Sequence, residues 1–256
     1  MSDEIYEEDW AIYFTTIQEN QIGAILVDIG LVSIAPVETK PFLLTFATLM
    51  NHPDENGLSS ASENQTLNQI EDGLIESLVS KHQAIYAGRL KAAGRIQSYF
   101  YCEKTDEIED TISEAKFNYP TYNFQHKFSE ERDWETYFEI LYPEPIEMQS
   151  IQNGRVIENL QEHGDSLEKE RLVEHWIYFK SETDRESFLD AIKDKGFEVV
   201  GKDETDSRDD SPFALRLSRL DKVDYKSVDK YVLYLWQTAQ EFGGDYDGWE
   251  TFVVKD

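Results

Sequence analysis

The stretch that most restricts the fold lies near the C-terminus. Val228, Tyr231, Val232, Leu235, Ala239 and Phe242 recur at helical spacing, the pattern of an amphipathic helix with one apolar face. Gly243-Gly244 ends it. Tyr246-Asp247-Gly248-Trp249-Glu250-Thr251 then turns the chain into a last strand, with glycine for positive φ, aspartate for backbone N–H groups and Trp249 as a core anchor.

The segments before this helix complete a pattern. Residues 176–180 read as a strand, and Thr183 is the expected N-cap of a helix whose face is Phe188, Leu189 and Ile192, ending at Gly196. A strand follows at 197–201, then a charged loop at 203–211. A strand at 213–220 alternates Phe213, Leu215 and Leu217 inward. The order is βαββαβ, which predicts a ferredoxin-like α+β domain over 172–256, an antiparallel sheet with two helices on one face. The other face is solvated or covered, for instance by the first domain.

With 256 residues, two domains are expected. Residues 1–143 read as a separate α+β domain with an antiparallel sheet. A strand at 9–17 places Trp10, Ile12 and Phe14 on one face and Tyr13 on the other, a polar turn at 18–21 follows, and 22–29 returns. Further strands are expected at 42–50, 84–90, 96–102 and 119–128, with Gly94 near one turn. A helix at 63–81 carries Leu67, Ile70, Leu74 and Leu78. Thr105 is the expected cap of an acidic helix to 115, and a short helix covers 134–141. Residues 144–171 read as a helical connector, helical over 145–162 with Ile146, Ile151, Ile157 and Leu160 and weakened by Asn153-Gly154.

Charge limits the partners. Asp and Glu number 52 against 24 Lys and Arg, for a net charge of -28. Such a field repels phosphate backbones and anionic lipid, which argues against direct nucleic-acid or membrane binding and favours a basic protein partner. The single cysteine, Cys102, excludes an intramolecular disulfide and a cysteine-based zinc site. The acidic N-terminus has no apolar signal core, and no run approaches a membrane span, so a cytoplasmic protein is expected.

No catalytic constellation emerges, and no metal or cofactor site is assigned. Asp245, Asp247 and Glu250 do not fit the twelve-residue calcium loop. His175 stands without a nucleophile or third group. His52, His82, His126 and His163 lie in separate segments without ligand spacing. Arg216, Arg219, Lys222, Lys226 and Lys230 form a basic cluster suited to a partner's acids or a phosphate; pairing with Asp221, Asp224 and Asp229 is the simpler account. Arg89 and Arg95 flank a turn and read the same way.

Two resemblances cover nearly the whole chain. From about residue 160 onward it resembles the regulator of ribonuclease E activity B family, RraB. The carriers are Gly164-Asp165-Ser166, Glu174-His175-Trp176-Ile177-Tyr178-Phe179, Gly196-Phe197-Glu198-Val199, the helix at 228–242 and Tyr246-Asp247-Gly248-Trp249-Glu250-Thr251. Residues 9–143 resemble the domain of unknown function 695 family, through Trp10-Ala11-Ile12-Tyr13-Phe14, Gly57-Leu58, Ile70-Glu71-Asp72, Tyr86-Ala87-Gly88-Arg89 and Trp134-Glu135-Thr136-Tyr137. The first resemblance implies a ferredoxin-like fold and a non-catalytic role: binding and inhibiting the endoribonuclease RNase E, which alters messenger RNA turnover. It marks Tyr246, Asp247, Gly248, Trp249, His175 and Trp176 as motif or interaction residues. A ligand site between the two domains, involving Arg89, Arg95 or His175, and self-association through the open sheet face stay open as other readings.

Overall fold

The computed structural model describes residues 6–17, 21–204 and 210–255. Most of the turn expected at 18–21 and of the loop expected at 203–211 lies outside them. The chain divides into two compact units, Met1–Glu147 and Met148–Asp256.

The first unit is built on six strands: β1 (Trp10–Thr16), β2 (Ile22–Asp28), β3 (Phe42–Leu49), β4 (Ile85–Ala92), β5 (Arg95–Cys102) and β6 (Asn123–Glu130). They form one antiparallel sheet in the order β1-β2-β4-β5-β3-β6. Helices α1 (Ala61–His82) and α2 (Ile108–Asn118) lie on one face. Leu74 and Leu78 of α1 and Ile108 and Ile112 of α2 bury Leu44, Phe46 and Phe100 there. Adjacent strand residues point to opposite faces, so Tyr101 looks away from this core. It stacks on Trp134, ring centroids 3.8 Å apart, and its hydroxyl donates to Glu131 at 2.6 Å. Trp134 donates its indole N–H to the Lys40 carbonyl at 3.1 Å. The short helix expected at 134–141 narrows to a π-helical turn, Tyr137–Leu141, whose Tyr137 hydroxyl donates to the Asp28 carbonyl at 3.0 Å.

One local expectation is corrected. Thr105 caps nothing: α2 starts after Glu107, which has φ of 72° and makes no side-chain cap bond. The alternation in β1 is present, but the face carrying Trp10, Ile12 and Phe14 points outward. Ile12 is 61% and Phe14 64% exposed, while Ala11 and Tyr13 are buried. The core beneath α1 and α2 takes no residue from β1 or β2, whereas the Tyr13 hydroxyl finds the Leu141 carbonyl at 3.0 Å on the other face. What covers each face, rather than apolar content, sets the direction.

The second unit holds α3 (Pro145–Glu162), β7 (Arg171–Phe179), α4 (Glu182–Ile192), β8 (Glu198–Glu204), β9 (Phe213–Asp221), α5 (Tyr225–Glu241) and β10 (Gly244–Glu250). From β7 on the order is βαββαβ, and the antiparallel sheet runs β10-β7-β9-β8, the ferredoxin-like arrangement. Val173, Ile177, Phe179, Leu215 and Leu217 face a core closed by Phe188 and Ile192 of α4 and by Val228, Val232 and Leu235 of α5. The segment expected as a connector contributes to it: Ile157 and Leu160 of α3 are buried in the same cluster. The two expected helices, α4 and α5, are therefore joined on this face by α3. The N-cap of α4 is Ser181, not Thr183; its hydroxyl accepts the Asp184 N–H at 3.2 Å. Asp224 caps α5 by accepting from Ser227 N–H at 3.1 Å.

Candidate functional site

The Tyr-Asp-Gly-Trp motif lies in β10, the edge strand beside β7. Tyr246 and Trp249 are three residues apart, so a regular strand would send them to opposite faces. Both are buried, at 7% exposure. The difference is a β-bulge: Tyr246 opposes Ile177 and Gly248 opposes Trp176, leaving Asp247 as the extra residue. Gly248 adopts φ of +145°, a conformation that glycine takes without a Cβ penalty. The bulge turns both aromatic rings into one core and Asp247 out to solvent.

Behind the motif stands His175, fully buried on β7. Its Nδ1 is 2.8 Å from the Tyr246 hydroxyl, and its ring meets Phe197 and Tyr231 edge-on. Burial, with the Arg219 charge second, pushes its pKa down to about 3, so the ring is neutral near pH 7. Trp249 donates its indole N–H to Asn153 of α3 at 3.0 Å, and Asn153 donates to Asp229 of α5 at 2.9 Å. The motif thus joins β10 to β7, α3 and α5. Sequence periodicity favours apolar residues and passes over Asn153, whose Asn-Gly setting reads only as a weak point in the helix.

Gly164-Asp165-Ser166 has an equally structural role. Asp165 and Arg171 form a buried ion pair. The carboxylate also accepts backbone N–H groups from Leu167 at 2.8 Å and Val254 at 2.7 Å, and the guanidinium donates to the Phe252 carbonyl at 3.3 Å. The Arg171 hydrogen bond chiefly, helped by those N–H groups, holds the Asp165 pKa at about 2. The pair clamps the C-terminal segment to the start of β7.

The sheet's opposite face carries no helix of this unit. Leu172, Glu174, Trp176 and Tyr178 of β7 point there, opposite Leu220, Ser218, Arg216 and Ala214 of β9. Leu172 and Leu220 are 54% and 59% exposed, and Trp176 and Tyr178 are half-buried. Glu174 sits directly across from Glu250, a like-charge cross-strand pair, with Arg216 at 3.7 Å from Glu174. Of the six motif residues, Tyr246, Trp249 and His175 therefore enter the core. Trp176 belongs to the open face, and Asp247 and Gly248 shape the edge.

In the first unit the motif residues converge on Glu71, a buried carboxylate of α1. It accepts from Tyr86 and Ser98 hydroxyls at 2.9 Å each and pairs with Arg89. Tyr86 in turn stacks on Trp10 at 5.4 Å. Gly88 lets β4 lie close against β2, since a Cβ there would lie 2.3 Å from the Leu26 carbonyl oxygen. Arg89 thus serves a buried pair, while Arg95 is exposed at the start of β5. Among the described residues, no group of three or more His, Cys, Asp or Glu is placed to hold a metal ion, and no helix is long and apolar enough to cross a membrane.

Residues 150–251 match the family described as Regulator of ribonuclease activity B. A protein of that description from Shewanella denitrificans is 30% identical over 115 residues, which span 43% of this chain and 87% of that protein. This chain belongs to the RraB family. Residues 8–142 match, and belong to, a family of unknown function, DUF695. Among solved structures, an unknown protein from Galdieria sulphuraria aligns over 84% of this chain and 99% of its own at 12% identity, with a TM-score of 0.24. The RraB match spans α3 through β10 and so takes in Asn153 together with Trp249. The DUF695 match ends before α3.

Proposed function

We propose that this protein is a non-catalytic regulator that docks a basic protein of the ribonuclease class on the open face of the β10-β7-β9-β8 sheet. The observation carrying the proposal is the match of residues 150–251 to the Regulator of ribonuclease activity B family. Three features support the face. Trp176 and Tyr178 share the face of β7 with exposed Leu172, which pairs across to exposed Leu220 of β9, a mix of aromatic and aliphatic side chains suited to an interface centre. Glu174 and Glu250 oppose each other, so an incoming Lys or Arg would relieve their repulsion. The net charge of -28 would steer a basic partner inward and turn away naked RNA. The site of action is the cytoplasm.

The test combines the purified protein with an RNase E-type endoribonuclease and follows RNA cleavage and binding across a salt series. Inhibition that weakens as salt rises is expected, with no binding to the RNA alone. Trp176→Ala with Glu174→Lys should lower affinity at least about tenfold while the melting temperature holds. Absence of binding at low salt would sink the regulatory reading. Binding untouched by the double substitution would move the interface elsewhere, and a dimer disrupted by that substitution would assign the face to self-association.

A further inference from the structure

The second unit contains a cavity of about 470 Å³ between the start of α5, the end of β9 and the turn after α4, within the usual range of small-molecule sites. Its charge is opposite to that of the molecule. Lys195, Arg219, Lys222 and Lys230 line it, against the carboxylates Glu170 and Asp221. Arg219 is held in place by Asp221 at 2.6 Å and by the Lys195 carbonyl at 2.9 Å, with its guanidinium 4.0 Å over the Phe197 ring. The lysines differ. Among the described residues, Lys195, Lys222 and Lys230 form no ion pair, and Lys195 rests 5.3 Å from the centre of the Tyr234 ring. The chain has more than twice as many acids as bases, so carboxylate partners are abundant. Asp221 is engaged by Arg219, so in this hollow four cationic side chains face two carboxylates, Glu170 and Asp221, and an anion entering it meets a local excess of positive charge.

We propose that this cavity binds a small phosphate-bearing anion of nucleoside-diphosphate size. Lysine ammonium groups are compact point charges that suit the dispersed oxygens of a diphosphate. Tyr231 and Tyr234 supply aromatic walls for the rest of the ligand. The cavity's walls come from the helix side of the sheet, so this proposal stands independently of the docking face.

The experiment is calorimetric titration of the 256-residue chain with ADP, inorganic pyrophosphate, ribose 5-phosphate and adenosine at low salt without magnesium. Saturable binding of ADP at submillimolar concentration is expected, weakening as salt rises, and adenosine should show none. Binding of pyrophosphate shows that the diphosphate alone suffices, and binding of ribose 5-phosphate without pyrophosphate shows that a sugar must accompany the phosphate; either result supports the site. Lys222→Glu with Lys230→Glu should reduce affinity at least about tenfold. Lys222→Gln with Lys230→Gln repeats the test with milder changes should the first pair lower the melting temperature. Lys180→Gln, at the opposite end of β7 from Glu170 and outside the lining, should leave affinity unchanged. No saturable binding of any phosphate ligand up to about 1 mM, corresponding to a free energy weaker than about -4 kcal/mol, would overturn the proposal. So would binding that survives both double substitutions.

Discussion

Trp249, His175 and Asp165 show how a family signature can be a packing requirement. Trp249 fills the second core and donates to Asn153. Trp249→Ala is expected to cost roughly 3–5 kcal/mol, the range for truncating a large buried aromatic, whereas Trp249→Phe should lose about 1 kcal/mol with the hydrogen bond. Urea denaturation checks both, and an unchanged midpoint for the alanine variant would show a dispensable ring. His175 makes a pH prediction. Its folded pKa is depressed to about 3, below the ordinary value of about 6.5. Above pH 6.5 neither state binds this proton. Between 6.5 and 3 the unfolded chain takes it and the folded one does not, so stability falls with falling pH by up to about 1.4 kcal/mol per unit. His175→Gln should flatten that part of the stability curve. A slope equal to the parent's would refute the assignment. Asp165 has the complementary sign. Its pKa of about 2 makes its contribution full above pH 4, lost as pH falls through 2. Asp165→Asn, which leaves Arg171 buried without its counter-charge, should cost about 3–5 kcal/mol at neutral pH and progressively less toward pH 2, measured by denaturation across that range.

Among the elements, β10 and β1 bracket what pattern-reading can achieve. The helix at 228–242, its glycine stop and the following strand are recoverable from spacing because local physics dominates: helical periodicity, an interruption by Gly243-Gly244, then aromatic anchors. The bulge at Asp247 is not, since two aromatics three residues apart fit either a turn or a kinked strand. Gly248→Ala tests it directly. With φ of +145° the alanine must strain or let the bulge relax, so a loss of about 1 kcal/mol or more is expected. A crystal structure or amide exchange showing an unaltered β10–β7 register at full stability would remove the argument. In β1 the alternation is correct and the direction is not readable, because the layer that buries Ala11 and Tyr13 comes from residues more than a hundred positions away.

At the scale of the whole molecule, the two units have separate apolar clusters, one around α1 and α2 and one under α3, α4 and α5. A fragment beginning at residue 144 is therefore expected to fold alone. One beginning at residue 172 lacks Ile157, Leu160 and Asn153 as well as Asp165 and Arg171, and should melt at a markedly lower temperature or not fold. Circular dichroism of the two fragments decides, and equal melting would show that α3 is only a connector. The order βαββαβ, the antiparallel sheet and the acidic surface are properties of the sequence itself, set by periodicity, turn residues and charge counts that need no distant partner. Which residues of the RraB motif reach solvent was settled by long-range pairing. A bulge, a buried asparagine and a neutral histidine drew Tyr246, Trp249 and His175 inward and left Trp176 on the open face. The cavity at Lys195, Lys222 and Lys230 likewise exists only because folding gathers a turn, a strand end and a helix start, and no linear spacing encodes that meeting.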